Sequence, residues 1–204
     1  MNFATDHKSD RSRGGYRGII LASQSPRRKQ LLEWAEVPFE IIAKETDESY
    51  PLNLSLPEIA IHIARNKALA IQKDIQFAKP VLAADTIVVL DAKVIGKPKD
   101  RADAIKILSL LSGKKHLVIT GVVILYNESE TSFADTTEVE FHDLTKEQVI
   151  YYVDKYSPYD KAGAYAIQEW IGVIGIKSVS GDFYNVMGLP VSRVVKELLK
   201  AGII

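Results

Sequence analysis

The alternation of apolar and polar positions divides the chain into short β-branched runs and longer stretches of helical period. Gly18 to Ala22 reads as a short strand, and Ser25 followed by Pro26 predicts a helix start, because serine is a favoured N-cap and proline fits the first helical position. Pro38 to Ala43 predicts a second strand, followed by the acidic loop Thr46-Asp47-Glu48-Ser49. Ser55-Leu56-Pro57-Glu58 has the form of a capping box and opens a helix to about Asp74, with Ile59, Ile63 and Ile71 beside Ala60, Ala64 and Ala68 as its apolar face. Val81 to Leu90 has the length and β-branched character of a buried strand, and Lys93 to Ile95 is its expected hairpin partner. Asp100 caps a helix over Arg101 to Leu111, with Gly113 just past its end. His116 to Tyr126 and Thr131 to Phe141 predict a long antiparallel pair, and Leu144 to Tyr156 an amphipathic helix capped by Asp143 or Thr145. Pro158 to Gln168 predicts a turn, a close-packed Ala/Gly segment and a strand that ends in an amide. Ile171 to Val179 and Asp182 to Val186 suggest a last hairpin, before Gly188-Leu189-Pro190 starts the C-terminal helix. Residues 1–17 are polar and aperiodic and read as a flexible leader, so the expected folded unit is residues 18–204.

Composition narrows this picture. With 47% hydrophobic residues among 204, the chain can build a real core. Lysine plus arginine equals aspartate plus glutamate at 26 each, so no global charge favours a nucleic-acid polymer or a membrane surface, and any phosphate recognition must be local. No cysteine is present, which removes disulfides and thiolate chemistry and fits a cytoplasmic protein. No apolar stretch approaches the length of a membrane span. The four histidines, His7, His62, His116 and His142, lack metal-ligand spacing.

The candidate chemistry begins where the long apolar strand is interrupted by Asp85 and Thr86. An ionised carboxylate buried without partners costs many kcal/mol, so Asp85 belongs at the strand's wet end, in a cleft, or beside a cation or metal. A plain alternative is an aspartate that closes the strand on a neighbouring turn. Strand, hydroxyl-bearing turn and helix start around Ser23 to Arg28 form an expected anion site, with Arg27 and Arg28 as forked donors for phosphate oxygens. Lys67 lies on the long helix, and Lys97 is held on a turn by Gly96 and Pro98.

These residues, taken together, resemble the Maf family of nucleoside triphosphate pyrophosphatases. The resemblance rests on Leu-Ala-Ser-Gln-Ser-Pro-Arg-Arg at 21–28, Asp-Glu at 47–48, Ala-Arg-Asn-Lys-Ala at 64–68, Ala-Asp-Thr at 84–86, Gly-Lys-Pro-Lys-Asp at 96–100, Asp-Lys-Ala-Gly-Ala-Tyr-Ala-Ile-Gln at 160–168 and Val-Met-Gly-Leu-Pro at 186–190. Glu169-Trp170 stands where the family usually has a glycine. The resemblance implies an α/β fold like that of the inosine triphosphatases, a twisted mixed sheet with two lobes around a central cleft. It implies release of pyrophosphate from a nucleoside triphosphate, with a divalent cation, Mg2+ or Mn2+, as cofactor. It also implies a possible homodimer and a possible role in nucleotide-pool sanitation or cell-division arrest. Asp85 takes the family's proton-acceptor position, and Ser23, Arg27, Arg28, Glu48, Lys67 and Lys97 line the cleft. Arg27, Thr86 and Gln168 mark the branch resembling dTTP and UTP pyrophosphatases, with the Gln168 amide facing the base and Ala162, Gly163 and Ala164 tightening the pocket against purines. Whether Asp85 is a general base or a metal ligand stays open, and a non-catalytic nucleotide-binding regulator of septum formation is the alternative.

Overall fold

A computed structural model describes residues 18–75 and 79–204, so the expectation of a flexible leader over residues 1–17 lies outside the described residues. Among these residues the centre is a mixed sheet of seven strands, β1 (Ile19–Leu21), β2 (Phe39–Ile41), β3 (Val81–Leu90), β4 (Lys93–Ile95), β5 (Lys115–Tyr126), β6 (Ser129–Phe141) and β7 (Ile176–Ser180), in the order β2-β1-β3-β5-β6-β7, with β4 pairing β3 off this path. The first half is wound as parallel units: β1 (Ile19–Leu21), helix α1 (Pro26–Trp34), β2 (Phe39–Ile41), the long helix α2 (Leu56–Ile75) and β3 (Val81–Leu90). Strand β1 pairs in parallel with β2 on one side and β3 on the other. The carboxyl end of β1 is therefore a topological switch point, the place where α/β sheets form ligand crevices. The second half is antiparallel. Strand β4 (Lys93–Ile95) folds back on β3, helix α3 (Arg101–Leu111) follows, and β5 (Lys115–Tyr126) pairs with β3 and with β6 (Ser129–Phe141). Asn127 and Glu128 both adopt left-handed backbone between β5 and β6, as a two-residue hairpin turn requires.

Side chains alternate across β3, and its two faces meet different helices. Leu82, Ala84, Val88 and Leu90 join the main core with α1, α3, helix α4 (Lys146–Tyr156) and the C-terminal helix α7 (Val191–Lys200). Val81, Ala83, Ile87 and Val89 face α2 on the opposite side, with Tyr50 and Leu54 of the loop before it. Two glycine-scale features bring α2 down onto the sheet. Its contact face is alanine-rich at Ala60, Ala64 and Ala68, and Gly121 of β5 leaves room for the helix backbone, since a Cβ there would lie 2.3 Å from Ala60 C and Ile61 N.

Most sequence-predicted elements form where expected, including the Asp100 cap, which accepts from the Asp103 N–H, and a complete capping box between Thr145 and Gln148 that decides the α4 start for Thr145. Ser25 is the N-cap residue of α1 with Pro26 behind it, but its side chain makes no capping bond. Two expectations fail after Pro158. No strand forms up to Gln168: Ala162–Ala164 is a 3₁₀ turn with Gly163 at φ 73°, and the chain continues through turns. The expected last hairpin is instead helix α5 (Trp170–Gly175), strand β7 (Ile176–Ser180) on the β6 edge, and helix α6 (Phe183–Met187). Asp182 accepts from the Tyr184 and Asn185 N–H groups and so starts α6, a cap signal that outranks the β-like composition of Phe183 to Val186. Short apolar runs such as Ile171 to Ile176 do not distinguish strand from helix by period.

Candidate active site

The site follows from unequal strand lengths. Strand β1 has three residues and covers β3 only at Val81 and Leu82, while β4 covers it only from Val88 to Leu90. Between them, Ala83 to Ile87 have β5 on one side and, among the described residues, no strand on the other. A cavity of about 580 Å3 opens there, in the size range of small-molecule sites. Asp85 and Thr86, adjacent in sequence, point to opposite faces of β3 and both reach this cavity.

On the α2 face, charges alternate along a line. Lys67 Nζ bonds Asp85 Oδ1 at 2.6 Å and Glu48 Oε1 at 2.8 Å, and Lys97 Nζ reaches Glu48 Oε2 at 3.1 Å. Asp85 sits between the two apolar clusters that α2 makes with β3, only 9% exposed, and Lys67 is the cation that makes this burial tolerable. The plain alternative of a strand-closing aspartate fails: Asp85 is mid-strand and bonded to a distant helix. Burial pushes the Glu48 carboxyl up, but the hydrogen bonds and charges of Lys67 and Lys97 outweigh it and hold the group below its ordinary value.

On the α1 face the pattern is mostly neutral hydroxyls around one buried guanidinium. Arg28 donates from Nε to the Gly188 carbonyl (2.8 Å), from one terminal nitrogen to Ser23 Oγ (3.1 Å) and from the other to Thr86 Oγ1 (3.1 Å). Burial lowers its pKa, partly offset by Asp85; the intrinsic value of guanidinium is high enough to keep it charged. Arg27 donates to the Met187 carbonyl at 3.3 Å and lies 3.7 Å from Asp160. Both arginines therefore tie α1 to the end of α6, Arg28 with three donors already engaged.

The structure thus gathers Ser23, Arg27, Arg28, Glu48, Lys67, Asp85, Thr86 and Lys97 around one cavity. Gln168 is the exception. It is exposed, in the turn after the 3₁₀ segment, and does not line the cavity, because the strand expected to aim its amide inward does not form. Of the three small residues expected to tighten the pocket only Ala162 lines it; Gly163 packs against Val88 and Ala164 is buried. Among the cavity residues not singled out from sequence is the buried cation Lys161, 8% exposed, bonded to Asp160 at 2.7 Å and 3.7 Å from Glu169. A lysine set directly against the Ala/Gly segment was the available signal.

No cluster of three or more metal-ligating side chains occurs among the described residues. Asp85 and Glu48 nonetheless converge on one point, since a single ammonium bonds both. Two convergent carboxylates suit Mg2+ or Mn2+, which commonly take one or two protein carboxylates and complete their shell with water and phosphate oxygens.

The Maf-like protein family profile matches residues 18–201. The chain belongs to the Maf-like protein family. Among its relatives, a dTTP/UTP pyrophosphatase of Bacteroides thetaiotaomicron is 50% identical over 183 residues, covering 89% of this chain and 95% of that protein. A dTTP/UTP pyrophosphatase of Cytophaga hutchinsonii is 50% identical over 182 residues, covering 89% and 83%. One from Porphyromonas gingivalis W83 is 44% identical over 187 residues, covering 90% and 94%. A solved nucleoside-triphosphatase, a dITP/XTP pyrophosphatase from Mycobacterium abscessus, aligns at a TM-score of 0.40 and 16% identity over 62% of this chain and 75% of that one, a likeness too loose to bear on function. No helix among the described residues is long and apolar enough to cross a membrane.

Proposed function

We propose that this Maf-like protein hydrolyses nucleoside triphosphates, with dTTP and UTP preferred, to the monophosphate and pyrophosphate. The observation that carries the reading is the alternating line Lys97–Glu48–Lys67–Asp85 on the wall of a cavity at the switch point of the sheet. The names of the relatives supply the triphosphate and the preferred bases. Water attacks the α-phosphorus, the bond from that phosphorus to the bridging oxygen of the β-phosphate breaks, and pyrophosphate leaves. Positioning and electrostatics do most of the work in such transfers. Lys67 and Lys97 hold their ammonium groups around Glu48 until phosphate oxygens arrive to share them, and Asp85 stands ready either to accept the water proton or to hold a cation. Asp85 and Glu48 would hold Mg2+ or Mn2+, which when bound would neutralise phosphate charge and acidify a bound water.

The test incubates the protein with dTTP, UTP, CTP, GTP and ATP plus Mg2+ or Mn2+, with monophosphate and pyrophosphate as readouts. Equal amounts of both products, dependent on added metal and largest for dTTP and UTP, are expected. Asp85→Asn is expected to lose nearly all turnover while keeping its thermal unfolding midpoint within a few degrees. Absence of pyrophosphate from every triphosphate, or near-normal turnover by Asp85→Asn, would remove the proposal.

A further inference from the structure

We infer that Thr120, buried behind the cavity wall, is a specificity-positioning residue: it engages the Thr86 proton, so Thr86 meets a ligand only as an acceptor and reads an N–H on the base. The inference rests on the triphosphate reading above and deepens it.

The argument is an accounting of protons along one hydrogen-bonded chain. Arg28 can only donate, and it donates to Thr86 Oγ1 at 3.1 Å. At the other end, the Asn185 backbone carbonyl can only accept, and Thr120 Oγ1 donates to it at 3.1 Å. Between them, Thr86 Oγ1 and Thr120 Oγ1 lie 2.9 Å apart on opposite residues of β3 and β5. Thr120 has one proton. If it pointed to Thr86, its contact with the Asn185 carbonyl would be two acceptors facing each other in a site with no exposure. The Gly188 carbonyl also lies 3.5 Å from Thr86 Oγ1, beyond the usual range of an O–H···O bond, so the Thr120 oxygen at 2.9 Å is the better acceptor of the Thr86 proton, and the three short contacts all carry a proton only when the chain runs Arg28 to Thr86 to Thr120 to Asn185. Thr86 has then received one hydrogen bond and given its own proton away, and what remains toward the cavity is a single lone pair.

Arg28 has the opposite effect on its other partner. Ser23 Oγ accepts from Arg28 at 3.1 Å and from the Ser25 N–H at 3.2 Å, so both lone pairs are engaged and a ligand can receive only the Ser23 proton. One buried guanidinium thus fixes two hydroxyls of the same wall with opposite polarity. Beside its charged groups this wall carries Val88, Val118, Tyr165, Ala166 and Met187, apolar surface that suits a base rather than a phosphate. Uracil and thymine present N3–H, a donor, to a lone acceptor; cytosine presents a lone pair at that ring position. Recognition by polarity also suits a cavity that Gly163 and Ala164 do not narrow. A buried group left facing its own kind is costly, which gives one hydroxyl real discriminating power.

The test compares UTP, N3-methyl-UTP and CTP as substrates for the unaltered protein, Thr120→Val and Thr86→Val, reading kcat/KM for each, with thermal unfolding as a check on folding. The unaltered protein is expected to lose about tenfold or more on N3-methyl-UTP relative to UTP. In Thr120→Val the Thr86 proton keeps only the long 3.5 Å contact to the Gly188 carbonyl and can turn to the ligand instead, so the UTP to CTP ratio should narrow at least about threefold. In Thr86→Val the UTP to N3-methyl-UTP ratio should fall toward one. A merely structural role for Thr120 would lower all three substrates together and leave the ratios in place, which would overturn the inference, as would equal turnover of UTP and N3-methyl-UTP by the unaltered protein. Failure of the triphosphate reading looks different, because then no substrate yields pyrophosphate in any of the three proteins.

Discussion

At the residue scale, the two cations expected to serve phosphate sit in unlike surroundings. The Lys97 side chain is half-exposed and, among the described residues, its hydrogen bonds go only to Glu48, so its removal leaves the packing intact. Arg28 is buried and joins Ser23, Thr86 and Gly188 across three segments of chain. Lys97→Ala is therefore expected to weaken nucleoside triphosphate binding more than monophosphate binding, with little change in unfolding midpoint. Arg28→Ala leaves three acceptors, two of them buried, short of a donor and is expected to cost about 2–4 kcal/mol of stability. Titration with both nucleotides and chemical denaturation of both variants separate the roles; equal loss of both ligands in Lys97→Ala would take that lysine away from the terminal phosphates.

At the element scale, the site depends on how close α2 lies to the sheet. Lys67 reaches Asp85 because alanines line the helix face and because Gly121, directly opposite Asp85 in the β3–β5 register, offers no side chain. An added methyl would meet backbone, not the end of a flexible side chain, so the helix itself must move. Gly121→Ala is expected to destabilise by about 1–3 kcal/mol, as overpacking does, and to cut turnover by displacing Lys67 from Asp85. Denaturation midpoints and turnover measured together check this, and an alanine variant with unchanged turnover would show that the α2 spacing is not critical. The α1–α6 contact is the counterpart on the other face, held by Arg27 and Arg28 on the carbonyls of Met187 and Gly188 and by Trp34 against Tyr184.

At the scale of the whole molecule, a buried histidine makes stability depend on pH. His116 is 2% exposed, stacks on Phe141 and shares a 2.7 Å hydrogen bond with the Tyr165 hydroxyl. Burial pushes its pKa down from 6.5 to about 4. The unfolded chain therefore binds the extra proton first as pH falls, so this contribution is fully present above about pH 6.5 and is lost between about 6.5 and 4, amounting to about 3 kcal/mol. Urea unfolding across that range should show a steeper acid-side loss for the unaltered protein than for His116→Gln; parallel pH profiles would mean that another group controls acid stability.

Local chemistry was largely legible along the chain. Caps at Asp100 and Thr145, proline at the start of α1 and the long apolar run of β3 each reflect interactions within a few residues and led to most elements, while eight of the cavity residues came from the family resemblance that the ordered motifs carry. The carboxylate was also readable as chemistry, since Asp85 inside such a run calls for a wet strand end, a cleft, or a cation or metal beside it. Tertiary structure decided the remainder. Whether Ile171 to Val186 became a hairpin or a helix–strand–helix depended on packing against β6 and on the Asp182 cap. Gln168 ended outside the cavity and Lys161 inside it because a 3₁₀ turn replaced the expected strand. The direction of the hydrogen-bond chain through Thr86 could not be read from the chain at all, since it joins residues 28, 86, 120 and 185, which only the folded sheet brings within about 3 Å of one another, the range of a hydrogen bond.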